Sequence, residues 1–448
     1  MSPRRLVAPP KTITLHVDGH AVPAIAGEPV AVALAASGRY VFARSVKYHR
    51  PRGPVCFSGR CDGCLMRIDG IGNVMTCRAP ARDGMHVETQ NVIGSAESDL
   101  LSATDWFFPG GMNHHEMFTA NKLVNRAMQK VARRIAGVGE LPTRLVPDSP
   151  PRDARCDVLV IGGGPAGLAA ATQAARAGAE TILLEETGET GGQLLCFPGG
   201  VVDERERELN APAVAAELTR DAESAGVRIL LRHGAVGVYD DEVLAHAKDH
   251  VLRVRANRIV VATGAHEGAM AFEGADLPGV LGVRAACALL RHGVLPGERV
   301  AIVGTGVWSD ALARALRTRG ADVLGPFAAG EVTRARGRPA VRAIDVKRGD
   351  AAQSERLACD CVAIAPPPSP DYELAEQAGA SVVFSGEAFG VSAASEDGAT
   401  SASHVFAVGE CTGASALRTM LAQARAAGDR AVRSLRAATT TTAESDDV

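Results

Sequence analysis

The sequence predicts an α/β protein in which a small β-rich domain precedes two strand–turn–helix units of parallel type. Three observations carry that expectation. Asp157-Val158-Leu159-Val160-Ile161 is an apolar run that passes directly into Gly162–Gly167 and an alanine-rich helix, the pattern of a buried parallel strand and its crossover. A second passage of this kind begins at Arg299-Val300-Ala301-Ile302-Val303. Ahead of both, alternating apolar and polar residues with Asp-Gly turns describe short antiparallel strands around a loop rich in cysteine and glycine.

The N-terminal elements follow in order. Ile13, Leu15 and Val17 alternate with polar residues, and Asp18-Gly19 turns the chain into His20–Ala24. Apolar residues from Val30 through Leu34 read as a helix that stops at Gly38. Leu65–Ile68, the turn at Asp69-Gly70, and His86–Thr89 complete a small sheet. Strand, hairpin, strand, helix, cysteine loop, strand is the order of a β-grasp ferredoxin-like domain. Cys56, Cys61, Cys64 and Cys77 lie in the pattern C-x4-C-x2-C-x12-C, whose first three members have the plant-type [2Fe-2S] spacing. Gly53, Gly59 and Gly63 let the backbone wrap a compact cluster. Zinc is the alternative, but structural zinc favours two separated Cys-x2-Cys knuckles, so the asymmetric spacing favours iron–sulfur. The last interval is shorter than in plant ferredoxins.

Gly162, Gly164 and Gly167 form G-x-G-x-x-G between a strand and a helix, with Pro165 and Ala166 at the helix start. The glycines permit a tight turn and close approach of a pyrophosphate to the positive end of the helix. Glu185 ends the next strand, where a carboxylate accepts from ribose hydroxyls. Gly191-Gly192-Gln193, the turn Thr263-Gly264, and Val408-Gly409-Glu410-Cys411 follow in the order found in two-dinucleotide-binding-domain flavoproteins. Most of those carry Asp where this chain has Glu410. The second unit is weaker. Gly304 and Gly306 are kept, but Ser309 replaces the third glycine, and the following strand ends in Gly325-Pro326 with no acid for a ribose. The stretch from Phe327 to Arg334 looks short for a full crossover. This reads as a reduced NAD(P)-type domain kept for packing or partner contact, with a working NAD(P)H site as the alternative.

Composition bounds the rest. At 448 residues, two or three domains are expected. A formal charge of −3 gives no reason to expect nucleic acid. We read no apolar run of membrane-spanning length and no signal peptide. Ten cysteines, four of them clustered, describe metal ligands and buried thiols in a reducing cytoplasm rather than a disulfide framework. Cys359 and Cys361 flank Asp360 as strand filler, with a metal or disulfide role as the alternative. Trp106–Gly111 reads as a hydrophobic plug between domains, with a lid or partner contact as the alternative, and His114-His115-Glu116 as a polar loop. No catalytic base can be singled out.

The stretch Arg44–Gly53, the cysteine loop, Arg82-Asp83-Gly84-Met85, Phe108-Pro109-Gly110-Gly111, the glycine turn and Gly191-Gly192-Gln193 together resemble the α-subunits of heterotetrameric sarcosine oxidases. Subunits of hydrogen cyanide synthase and of opine and hydroxyproline dehydrogenases are similar. Within these residues there is no counterpart of the folate-binding half of those α-subunits, nor of a second cysteine-rich domain. A compact fused electron-transfer subunit is therefore expected. The resemblance implies a partner, an amino-acid-oxidase-type flavoprotein β-subunit that breaks the substrate C–H bond, and in addition an electron-acceptor protein. It implies FAD at the first site, NAD as its alternative there, and FMN at a subunit interface.

The expected organisation is a ferredoxin-like domain over 1–94 and a helical connector and linker over 95–153. The FAD-type domain follows over 154–294, the reduced NAD(P)-type domain over 295–365, the return to the FAD-type domain over 366–436, and a disordered tail over 437–448. The function expected is electron transfer in a multi-subunit amine or amino-acid dehydrogenase or oxidase. An NAD(P)H-dependent reductase serving an oxygenase, or a scaffold with a structural nucleotide, are the alternatives.

Overall fold

The computed structural model of the chain describes residues 5–6, 11–45, 49–92, 94–99, 121–135, 150–202, 208–239, 242–349, 353–393, 395–413 and 416–445. The expectations for Trp106–Gly111, for His114–Glu116 and for most of the linker lie outside them. Two compact units emerge: residues 1–146 with 269–366, and residues 147–268 with 367–448.

The N-terminal strands β1 (Ile13–Val17), β2 (His20–Ala24), β5 (Leu65–Ile68), β6 (Ile71–Met75) and β7 (His86–Glu88) form one sheet in the order β2-β1-β7-β5-β6. Between β2 and β5 come helix α1 (Val30–Ala36) and the short strands β3 (Ala43–Arg44) and β4 (Pro51–Arg52). Asp18 and Gly19 have φ of 49° and 79°, the two left-handed residues that a tight hairpin of this hand requires. Leu15, Leu34, Phe42 and Met66 are fully enclosed between the sheet and α1. Each such side chain stabilises the fold by about 1.5–3 kcal/mol relative to exposure. The buried Arg44 guanidinium donates to the carbonyls of His49, Ala96 and Glu97, which fastens residues 94–99 to the β3–β4 hairpin. Helix α2 (Lys122–Ile135) is the described part of the connector.

The second unit begins with β8 (Arg152–Ile161), α3 (Pro165–Arg176) and β9 (Thr181–Glu185). After α4 (Ala211–Ser224) and β10 (Arg228–Leu231), the chain forms an antiparallel meander of β11 (Gly234–Tyr239), β12 (Glu242–His246) and β13 (Val251–Val261). β10, β9, β8 and β13 lie side by side in that order, and β8, β9 and β10 run parallel. β13 also runs parallel to β8, which brings the carboxyl ends of Ile161 and Val261 level. The short strand β14 (Ala265–Glu267) then leads out.

Residues 269–366 form a smaller parallel sheet. Its strands are β15 (Val280–Gly282), β16 (Arg299–Val303), β17 (Asp322–Phe327) and, last in the chain, the strand Cys361–Ile364. Helices α5 (Val283–Arg291) and α6 (Val307–Thr318) accompany it. The boundary expected at 294/295 therefore falls earlier, because Val280–Gly282 pairs with Cys361–Ile364 and not with the first sheet. The stretch after Phe327 is not a shortened crossover. It enters a three-stranded antiparallel sheet of β18 (Val332–Gly337), β19 (Val341–Val346) and β20 (Glu355–Ala358). Val332, Ala335, Val341, Ile344 and Val346 turn one face of it onto Val280, Ala301, Val303 and Val362, the surface a crossover helix would otherwise cover.

After β21 (Cys361–Ile364), β22 (Pro368–Pro370) pairs with β14, and α7 (Glu373–Gln377) follows. The hairpin β23 (Val382–Phe384) and β24 (Phe389–Val391) precedes β25 (Val405–Ala407), which adds to β13 in parallel. Helix α8 (Leu417–Ser445) closes the unit. The disordered tail expected from Ala437 is corrected over 437–445, where the helix continues. Alanine-rich sequence before it supplies the nucleus, and extension then adds one hydrogen bond per residue fixed.

Candidate cofactor sites

The cysteine loop brings its four thiols into two pairs. The Sγ atoms of Cys56 and Cys61 lie 3.4 Å apart, and those of Cys64 and Cys77 likewise 3.4 Å apart. Two thiolates sharing one tetrahedral metal at about 2.3 Å sit about 3.7 Å apart. Among the described residues no three metal-capable side chains converge on one point. A structural zinc needs four ligands around a single ion, whereas a two-iron cluster asks for two thiolates on each iron. The paired arrangement fits the latter. Gly63 shows how tightly the loop is wound, since a Cβ there would fall 2.0 Å from the Gly53 carbonyl oxygen.

Electrostatics single out one sulfur in each pair. The Cys61 thiol holds Cys56 down at about 5, helped by the amides of Ser58 and Arg60, which point at its sulfur at 3.4 and 3.3 Å. Cys77 holds Cys64 down at about 7 in the same way. Cys61 and Cys77 are pushed up correspondingly, each first by its partner thiol. Thr76 has no exposed surface, and its hydroxyl donates to the Cys64 carbonyl at 2.7 Å. The loop is also held from outside: Gly282 N donates to Val55 O at 2.9 Å, and Tyr40 Oη donates to Pro296 O at 2.9 Å.

In the second unit, the carboxyl ends of β8, β13 and β25 meet at one crevice. Gly162 has φ of 108°, and a Cβ there would strike the Ala262 carbonyl oxygen at 2.3 Å. A Cβ on Gly167 would lie 1.8 Å from Gly162 O, so the third glycine is what lets α3 approach the strand. Helix α3 starts at Pro165 after Gly164, with no side chain capping it, which leaves its first-turn amides for an anion. Gly191 N donates to Gly163 O at 2.8 Å, and a Cβ on Gly192 would sit 2.9 Å from Gly164 Cα, so Gly192 and Gln193 lie against the turn. Gly409, with φ of 85°, comes down on Ala166 and places Glu410 at the same end. The buried Glu185 carboxylate accepts from the amides of Gly163 at 2.8 Å and Thr187 at 2.7 Å. Each oxygen retains a lone pair for a ribose hydroxyl.

Thr263 and Gly264 are joined to a residue the sequence did not single out. Thr263 Oγ1 donates to Asp371 O at 2.5 Å, Asp371 N donates to Gly264 O at 3.0 Å, and Asp371 Oδ1 lies 2.6 Å from His266 Nδ1. The run Thr263-Gly264-Ala265-His266 was visible in sequence, but its partner is more than a hundred residues away and reaches it only through the β14–β22 pairing. Cys411 is enclosed, with its sulfur 3.2 Å from Val408 O, and burial pushes it up to about 11. Cys359 is likewise buried and pushed up to about 12 by that burial. Asp360 between Cys359 and Cys361 caps the amides of Glu298 and Arg299.

The second glycine turn behaves differently. Gly304 has φ of 96°, and a Cβ there would meet Ala365 O at 2.5 Å. Ser309, on α6, is fully buried, and among the described residues its hydroxyl has no hydrogen-bond partner. Arg284 lies 5.1 Å over the Trp308 ring at the start of that helix.

Two family models match the chain. Residues 10–92 match a 2Fe-2S iron-sulfur cluster binding domain, and residues 156–325 match the pyridine nucleotide-disulphide oxidoreductase family. The sarcosine oxidase α-subunit of Rhizobium meliloti is 31% identical over 421 residues, covering 84% of this chain and 42% of its own length. The chain is a relative of the sarcosine oxidase α-subunits. It spans less than half the length of that relative. One of the opine oxidase subunits of the same organism is 33% identical over 153 residues, 34% of this chain and 33% of its own. L-proline dehydrogenase from P. horikoshii shares the fold, with a TM-score of 0.74 and 22% identity over 96% of this chain and 75% of that one. The chain is thus an oxidoreductase of flavoprotein type with a [2Fe-2S] domain. No described helix is long and apolar enough to cross a membrane.

Proposed function

We propose that this sarcosine oxidase α-like chain is the electron-transfer subunit of a multi-subunit flavin-dependent amine or amino-acid dehydrogenase or oxidase. The observation that supports the reading is that one chain carries two close thiol pairs in its cysteine loop and an uncapped glycine turn with the Glu185 carboxylate against it. Cys56 and Cys61 would hold one iron, and Cys64 and Cys77 the other. Gly162, Gly164, Pro165, Ala166 and Gly167 would seat the pyrophosphate, Glu185 the adenosine ribose, and Gly192, Gln193, Thr263, Gly264, Gly409 and Glu410 the remainder. FAD is the nucleotide we assign, with NAD the competing occupant. When bound, the flavin handles electron pairs and the cluster single electrons.

The chain's own residues supply the surroundings. The amides of Ser58 and Arg60 donate toward the Cys56 sulfur, which favours its thiolate. The uncapped start of α3 favours phosphate charge. No general base is assigned, because substrate oxidation is placed in a partner of the amino-acid-oxidase type. Its supports are the subunit character of the sarcosine and opine oxidase relatives. The fully buried Ser309 in place of a third glycine weighs against a pyridine-nucleotide reductase. Ten unbridged cysteines fit a cytoplasmic setting.

Anaerobic purification, with identification of the acid-released nucleotide and iron and sulfide analysis, tests the reading. FAD with about two irons per chain is expected. NAD alone in the crevice, or a single zinc on the cysteines, would overturn it.

A further inference from the structure

Sheet order tells which end of a bound dinucleotide lies where. Glu185 ends β9, on one side of β8, and Thr263-Gly264 follows β13, on the other. With the pyrophosphate at Gly162–Gly167 and the adenosine ribose at Glu185, the opposite end of the ligand falls over the carboxyl ends of β13 and β25. At that end lie Thr263, Gly264, Gly409 and Glu410, and joined to the Thr263-Gly264 turn is a pair that no part of the ligand-binding assignment has used, His266 and Asp371.

The pair is fastened to that turn. Asp371 is 8% exposed, and it is tied to the crevice turn twice, by Thr263 Oγ1 donating to its carbonyl and by its amide donating to Gly264 O. His266 stands on β14, opposite Ser369 of β22, and its Nδ1 meets Asp371 Oδ1 at 2.6 Å. A carboxylate on Nδ1 fixes the tautomer, orients the ring and supports positive charge at the far nitrogen. Reduction of a flavin builds negative charge on its ring, and an oriented donor aimed at that charge favours the reduced form.

Resting on the assignment of FAD to this crevice, we infer that His266, with Asp371 as its positioning residue, faces the redox ring of the bound flavin and stabilises its reduced state. The test is His266→Asn on the flavin-loaded full chain, because the Asn amide takes the place of Nδ1–H and keeps the tie to Asp371. The readouts are the visible spectrum and the two-electron potential of the flavin. We expect the flavin band to move and the reduced-to-oxidised equilibrium to fall about tenfold, which is about 30 mV more negative. A His266→Asn protein with wild-type spectrum and potential would overturn the inference and leave the FAD assignment standing. Wild-type protein that releases no flavin would overturn that assignment itself. If His266→Asn loses its flavin, Asp371→Asn is titrated by the same criterion.

Discussion

Single residues decide what each turn can do. Ser309 has an enclosed hydroxyl with no partner among the described residues, a desolvation cost of about 1–3 kcal/mol. Ser309→Ala should therefore stabilise the chain by about 1 kcal/mol, read as a higher urea midpoint at unchanged slope. A lower midpoint would mean the hydroxyl has a use. Burial holds Cys156 and Cys359 up at about 12 and Cys411 at about 11, so all three stay protonated at neutral pH. In the native chain they should resist alkylation at pH 8 and react once it is unfolded; mass mapping of the modified thiols checks this. The cysteine spacing and the G-x-G-x-x-G turn were legible at this scale because each is local in sequence. Which cysteines pair was not, since that depends on how Gly53 and Gly63 pack the loop. The His49–Asp99 contact, 2.8 Å between buried groups, was equally invisible because fifty residues separate the partners.

At the scale of elements, close approach of small residues governs the crevice. Helices α3 and α8 meet through Gly428, where a Cβ would fall 2.3 Å from the Ala170 carbonyl oxygen. Ala424, Ala427 and Ala431 continue the same small, buried face. Gly428→Val must push α8 off the helix that presents the pyrophosphate amides. We expect a loss of about 1–3 kcal/mol in stability. Nucleotide retention on gel filtration should fall alongside. Full retention at unchanged stability would show that α8 does not brace the site. Sequence periodicity identified the parallel strands because their apolar runs are uninterrupted. It missed the β18–β20 sheet, whose strands alternate, and took residues 269–294 for part of the first fold. Strand pairing between Val280–Gly282 and Cys361–Ile364, eighty residues apart, is a long-range choice that no local pattern records. Likewise, composition after Ala437 suggested disorder, yet helix extension carries through to Ser445.

For the whole molecule, one compact unit joins the cluster domain to the smaller α/β sheet, and the other holds the dinucleotide crevice. The bond from Gly282 N to Val55 O attaches that sheet to the residue beside Cys56. The smaller α/β sheet therefore helps to hold the cluster loop in place. Tyr40→Phe, which removes the 2.9 Å bond to Pro296 O, should speed proteolysis between the cluster domain and residues 269–366 without loss of iron. Unchanged cleavage would show that the bond is dispensable for docking.

With both cofactors bound, one chain is expected to store electrons both singly and in pairs. Anaerobic reductive titration of the purified chain, followed together by visible absorbance and electron paramagnetic resonance, tests it most directly. About three reducing equivalents per chain are predicted, two bleaching a flavin and one producing a cluster signal. Uptake of a single equivalent with a cluster signal and no flavin bleaching would contradict the account.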